Sequence, residues 1–230
     1  MARVRYWIGF AAVLSMAALF MTPTVQAQSV AESKASVDAM PDDPPRHYNL
    51  GRAFFKAGQF KESIASFKKA IELKEDYKEA YSSLGSALFK ARQFKESIAS
   101  FEKAIELKED KRDYYNMGLA QQKLSSNSAA IKSFKKAVEI DAGYADAQGA
   151  LGTAYGKTKN SAGAIRAYKA AIKANPRKSG WHLNLGILYQ SKGDYKNAIP
   201  PYETYLKLNP RARNAKSIRE IVVQLKDAIK

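Results

Sequence analysis

The side chains best suited to chemistry are few and far apart. His47 and His182 are the only histidines, and the chain contains no cysteine. The lack of cysteine removes disulfides, thiolate metal sites and cysteine nucleophiles together. Two isolated imidazoles lack the clustered ligands of a metal centre and the acid–base neighbours of a catalytic site. No phosphate-binding glycine loop is present, and the serine-rich KLSSNSAA from Lys123 to Ala130 reads as a connection between helices. The sequence therefore implies no enzyme activity, no cofactor and no metal. What remains is the chemistry of surface charge. Lysine and arginine number 38 against 22 acidic residues. Arg3 and Arg5 fall in the first 27 residues, residues 28–110 balance to zero, and the remaining excess of +14 lies in residues 111–230. Such a one-sided field steers anionic partners or holds a protein against an anionic polymer or lipid surface. Lys157, Arg166, Lys169 and Lys173 are the candidate patch for that role.

A basic half is most often read as a nucleic-acid surface. The amino terminus argues against it. MARVR is a basic start, YWIGFAAVLSMAALFM a short apolar run, and TPTVQAQ a small-residue cleavage site, which together read as an export signal over residues 1–27 cut after Ala27. An uncleaved anchor is the competing reading, although the apolar run is shorter than the ~20 residues that span a bilayer. Export without disulfides points to a bacterial periplasm. Residues 28–43, SVAESKASVDAMPDD with a leading Gln28, show no helical or strand period and read as a disordered polar linker.

From residue 44 onward the apolar residues keep helical spacing. QFKESIASFKKAIELKED at Gln59–Asp76 returns as QFKESIASFEKAIELKED at Gln93–Asp110, with only Lys68 changed, to Glu102. Phe60, Ile64, Phe67 and Ile71 lie four, three and four apart on one helical face, as do Phe94, Ile98, Phe101 and Ile105. Gly51, Gly85, Gly118, Gly152 and Gly186 follow at intervals of 34, 33, 34 and 34. A glycine inside a helix costs about 1 kcal/mol relative to alanine, so five in one phase need a shared reason, and close approach of a partner helix supplies it. Ala70, Ala104, Ala137 and Ala171 recur in the second helix on the same logic. Lys68, Glu102, Lys135, Lys169 and Glu203 share one row, where alternating sign relieves repulsion between stacked copies, or where a solvated site has simply drifted.

These features resemble the tetratricopeptide repeat family, a 34-residue helix-turn-helix unit. The Leu-Gly slots hold Leu50-Gly51, Leu84-Gly85, Met117-Gly118, Leu151-Gly152 and Leu185-Gly186, and the later aromatic slot holds Phe67, Phe101, Phe134, Tyr168 and Tyr202. Pro176 and Pro210 close the last two repeats as the pattern expects, whereas Glu75, Glu109 and Ala142 take the proline's place in the first three. The resemblance implies an all-α, right-handed solenoid of five helix-turn-helix repeats over 44–77, 78–110, 111–144, 145–178 and 179–212. Residues 213–230 then form a capping helix with Ile218, Ile221, Val222, Leu225 and Ile229 on one face. Two departures stand out. Tyr205 fills a small-residue slot, and Pro200 and Pro201 fall within the last second helix, where a proline removes a hydrogen bond and demands a late start or a kink.

Family resemblance also assigns a binding surface, the concave face built by the first helix of each pair. It comprises Tyr48, Arg52, Phe55 and Lys56 in the first repeat, and Ser82, Phe89 and Lys90 in the second. Arg112, Tyr115 and Lys123 follow in the third repeat, with Lys157 continuing the lysine row. Aromatic rings interleaved with cations suit an extended peptide bearing acidic groups. A lysine there is also common family consensus, as are Asn49, Asn116 and Asn184. The family's chaperone-carboxylate clamp is not carried over, because its positions hold Tyr48, Arg52, Ser83, Arg112 and Asn116. The expectation is a non-enzymatic protein-binding adaptor of the cell envelope. Anionic-surface binding through the basic half is the alternative, and no nucleic-acid partner is expected.

Overall fold

Alanine, leucine, lysine and glutamate favour helix over most of the chain, with turn residues spaced to interrupt it. The computed structural model describes residues 27–230, so the expected export signal lies outside the described residues apart from Ala27. Helix α1 covers 27–39. It is followed by α2 (Pro44–Lys56), α3 (Phe60–Leu73), α4 (Lys78–Lys90) and α5 (Phe94–Leu107). Next come α6 (Lys111–Lys123), α7 (Asn127–Ile140), α8 (Ala145–Lys157), α9 (Ser161–Ala174), α10 (Ser179–Ser191), α11 (Tyr195–Leu208) and α12 (Ala215–Asp227). The chain divides into two compact units, with α1–α5 in the first and residues 108–230, carrying α6–α12, in the second. No strand occurs among the described residues. The first unit holds two helix-turn-helix repeats, and the second holds three with α12 as the cap.

One glycine and one aromatic residue lock each pair. A Cβ placed on Gly51 would sit 2.6 Å from the ring of Phe67, and one on Gly118 would sit 2.5 Å from Phe134. Gly85, Gly152 and Gly186 meet Phe101, Tyr168 and Tyr202 at 2.8–2.9 Å in the same way. The shared reason for the five glycines is thus close approach of the partner helix, made by its aromatic ring sixteen residues later. In the first unit the lock gains a buried hydrogen bond, as Ser63 and Ser97 donate Oγ to the carbonyls of Gly51 and Gly85 at 2.8 and 2.7 Å.

The turns between paired helices share one geometry. Gly58, Arg92, Ser125, Lys159 and Gly193 all adopt positive φ, between 59° and 76°. The following N–H closes back onto the first helix, as in Gln59 to Phe54 O and Asp194 to Tyr189 O, 2.9 and 3.0 Å. This is the left-handed helix ending that satisfies the last carbonyls. Both histidines do structural work. His47 and His182 are buried, and their Nε2 atoms lie 2.6 and 2.9 Å from the carbonyls of Pro41 and Pro176 in the preceding loops.

Three expectations need correction. Residues 28–43 are not a disordered linker, since 27–39 form α1. Its half-buried stripe is Val30, Ser33, Ser36 and Val37, and serines in two apolar slots concealed the helical period. Arg46 anchors the segment by donating Nη1 to the carbonyl and hydroxyl of Ser36 at 2.9 and 2.7 Å, and the Lys34 ammonium lies 5.5 Å over the ring of Phe54. Secondly, Pro200 and Pro201 do not delay α11, which starts at Tyr195 and runs through both prolines to Leu208. The carbonyls deprived of partners belong to Lys196 and Asn197, both exposed, so water can replace the lost donors. Finally, Ile229 lies beyond the end of α12 and is 48% exposed, while Ile218, Val222 and Leu225 are buried. Tyr205 is accommodated in its small-residue slot by packing into the core beneath α12 and donating its hydroxyl to Asn214 Oδ1.

Two other positions carry their own signatures. Trp181 is buried against Gly149, where a Cβ would lie 2.2 Å from the indole nitrogen. Lys68 and Glu102 remain exposed and form no ion pair with each other, whereas Glu203 in the same row pairs with Lys226 of the cap at 2.7 Å.

Candidate functional site

The first helices of the first two repeats form a cleft of about 230 Å³. From α2 come Arg52, Phe55 and Lys56, three and four residues apart and therefore on one helical face. Helix α4 contributes Ser83 and Ser86, and Phe67 of α3 forms part of the floor. Small-molecule pockets usually enclose roughly 300–1,000 Å³. The volume here suits one side chain of an extended segment crossing the helices.

Aromatic packing fixes the cationic wall. The Arg52 guanidinium lies 5.7 Å from the centroid of the Tyr48 ring, which packs against Phe67 and Tyr77 at 5.7 and 5.2 Å. Burial, and then the neighbouring Tyr48, push the Tyr77 phenol above its usual pKa, so it stays neutral behind the guanidinium. Phe55 leans edge-on against Phe60 at 5.6 Å, and Phe89 repeats this with Phe94 at 5.4 Å. Ser86 donates its hydroxyl to the carbonyl of Ser82 at 3.0 Å. The result is an apolar floor bordered by two exposed cations and hydroxyl oxygens.

The structure thus gathers Arg52, Phe55 and Lys56 of the expected surface. Ser82 is not on the cleft wall, and its hydroxyl donates to the carbonyl of Lys78 at 3.2 Å. Ser83 and Ser86 take that place. Their signal was available in the repeat register, since they stand 34 residues after Asn49 and Arg52. Phe89 is half-buried and Lys90 exposed, one repeat on from Phe55 and Lys56.

Arg112, Tyr115, Lys123 and Lys157 belong to the second unit. Tyr115 stacks with Phe134 and Tyr144 at 5.9 and 5.2 Å, repeating the arrangement around Tyr48. Burial first, then Tyr115 and Asp146, push the Tyr144 phenol up to about 12. Lys111 lies 5.4 Å over the same ring and pairs with Asp141, holding that carboxyl below its usual range. Arg112, Lys123 and Lys157 are exposed, the last two at the ends of α6 and α8. Arg166, Lys169 and Lys173 form an exposed stripe on α9 at three- and four-residue spacing, with Lys169 5.6 Å over Tyr189. Lys157 closes the preceding helix and lies off that stripe.

Three family models match the helical repeats. A TPR repeat model covers residues 51–91, and tetratricopeptide repeat models cover 78–111, 114–144 and 149–213. The chain belongs to the tetratricopeptide repeat family. No protein of curated function matches its sequence significantly. Among solved structures, its fold is similar to YrrB, described as a TPR protein with an unusual peptide-binding site. The identity is 20% and the TM-score 0.70, covering 82% of this chain and 97% of that one. It is also similar to MamA, at 24% identity and TM-score 0.69 over 77% and 96% of the two chains. MamA from Desulfovibrio magneticus matches at 20% and 0.69 over 74% and 97%. At these identities the likeness concerns the tetratricopeptide fold. Among the described residues of this repeat protein, no group of three or more acidic or histidine side chains could hold a metal ion, and no helix is long and apolar enough to cross a membrane.

Proposed function

We propose that this tetratricopeptide repeat protein is a non-enzymatic interaction scaffold whose first-helix face, in residues 27–107, binds an extended segment of another protein. The observation that carries this reading is the cleft of α2 and α4, where Arg52 and Lys56 border the rings of Phe55 and Phe67. An apolar anchor followed by an aspartate or glutamate fits that pairing, because the ring floor takes the apolar group and the cations attract the carboxylate. The peptide-binding site named for YrrB lends support by fold alone. The basic, apolar and small-residue order of the amino terminus supports exported, periplasmic work.

Selection from a displayed library of extended peptides tests the reading. Peptides combining an aliphatic residue with an acidic one are expected to emerge. Each charge-assisted contact is worth about 1.5–3 kcal/mol. Joint Arg52→Gln and Lys56→Gln substitution is therefore expected to weaken selected peptides at least about tenfold while leaving the melting temperature unchanged, since both side chains are exposed. Peptides that bind this variant as tightly as the parent would place recognition elsewhere. Phe55→Ala is a poorer probe, because it also breaks the Phe55–Phe60 contact inside the repeat.

An anionic polymer or lipid surface on the second unit is the other reading, favoured by one observation. Residues 147–193 carry eight lysines and arginines and no acidic residue.

A further inference from the structure

The turn following each second helix lies at one edge of its repeat, and the charge of that edge changes sign along the chain. The ELKED segments at 72–76 and 106–110 each carry net −2, and so does EIDAG at 139–143. KANPRK at 173–178 and KLNPRAR at 207–213 each carry +3. In the first three repeats a lysine three residues back neutralises the edge glutamate, as in Lys69–Glu72, Lys103–Glu106 and Lys136–Glu139 at 3.3, 2.6 and 2.8 Å. Ala170 and Thr204 take the lysine's place in the last two, and the exposed Lys173 and Lys207 form no ion pair among the described residues.

Apolar groups accompany these charges. In the first unit a cleft of about 460 Å³ opens at the acidic edge, with Ile71, Tyr81 and Leu107 as its apolar lining and Glu72, Glu75, Glu106 and Lys103 as its charged walls, three carboxylates against one ammonium. Leu107 is 43% exposed. In the second unit Leu208 is 36% exposed at the end of α11, between Lys207 and the exposed Arg211. Cleft and knob are complementary in both polarity and charge. The acidic cleft and the basic knob both belong to every molecule, so another copy is always available as the partner.

We propose that the basic edge of the fifth repeat docks onto the acidic edge of a second copy of this chain, with Leu208 entering the Ile71–Tyr81–Leu107 cleft and Lys207 and Arg211 facing its glutamates. The contact is heterologous, joining different surfaces of the two copies. It is separate from the cleft between α2 and α4.

Sedimentation velocity of the full-length chain over a range of concentrations tests it. The parent is expected to associate at 50 mM salt and to dissociate at 500 mM, as screening shortens the reach of charge. Lys207→Glu with Arg211→Glu is expected to remain monomeric, as is Glu72→Lys with Glu106→Lys, each with unchanged helical content. An equimolar mixture of these two variants restores association, because the unaltered basic edge of one meets the unaltered acidic edge of the other and the two reversed edges also attract, and Leu208→Ala alone weakens the parent's association at least tenfold. Association of either charge-reversed variant alone as strongly as the parent, or failure of the mixture to associate, would overturn the proposal. So would a parent that is monomeric throughout while Lys207→Glu with Arg211→Glu abolishes its retention on heparin, an outcome that assigns the basic edge to a polyanion.

Discussion

Removal of residues 213–230 is expected to unfold the end of the second unit and drive the protein to aggregate. Helix α12 inserts Ile218, Val222 and Leu225 into the cluster containing Tyr202, Tyr205 and Leu185. Truncating one buried Leu or Ile to alanine costs about 2–5 kcal/mol. Losing three such residues with their helix rivals the ~5–15 kcal/mol that holds a whole domain folded. Tyr205 also loses the Asn214 acceptor of its buried hydroxyl if the deletion stands, and an uncovered apolar face invites association. Circular dichroism should show helical loss beyond the thirteen residues of α12, with binding of a hydrophobic dye. A monomeric truncated chain with an unchanged melting temperature would deny α12 its capping role.

The second large effect concerns the glycine–aromatic lock. Phe134 is fully buried, and Phe134→Ala is expected to cost about 3–5 kcal/mol. In the parent, Gly118→Ala brings a methyl to 2.5 Å from that ring. The ring cannot retreat within its packed surroundings, so overpacking of about 1–3 kcal/mol outweighs the ~1 kcal/mol that alanine gains as a helix former. Once Phe134 is alanine the clash disappears, and Gly118→Ala should become stabilising. The reversal of sign is the test, read from chemical denaturation of the four proteins in the cycle. Gly156 supplies a control, since a Cβ there meets nothing within 4 Å, and Gly156→Ala should stabilise either background by up to about 1 kcal/mol. Additive effects of Gly118→Ala and Phe134→Ala would contradict the lock.

Repetition made the fold legible from sequence, because a slot recurring five times separates signal from accident. The five glycines and five aromatics pointed to paired helices, although only the coordinates show that each glycine makes room for its own repeat's ring. Segments without a repeated copy were harder. Helix α1 occurs once, and its contact face includes Ser33 and Ser36, which no apolar period reveals. Pro200 and Pro201 look prohibitive by local preference, yet the carbonyls they deprive of donors belong to exposed residues and can meet water. At the candidate site, Arg52, Phe55 and Lys56 were legible because residues three and four apart share a helical face. The opposing wall depends on how α4 packs across α2 and α3, so Ser83 and Ser86 replaced the expected Ser82.

The central claim is that another protein's segment crosses α2 and α4. A photoreactive amino acid at Ser86, introduced into the chain in its native cells, tests this most directly. The account predicts a discrete protein crosslink from Ser86 that disappears when Arg52 and Lys56 are both glutamine, with no equivalent crosslink from a probe at Arg166 on α9. Capture of protein from Arg166 but not from Ser86, or a Ser86 crosslink indifferent to the Arg52 and Lys56 substitutions, would contradict it.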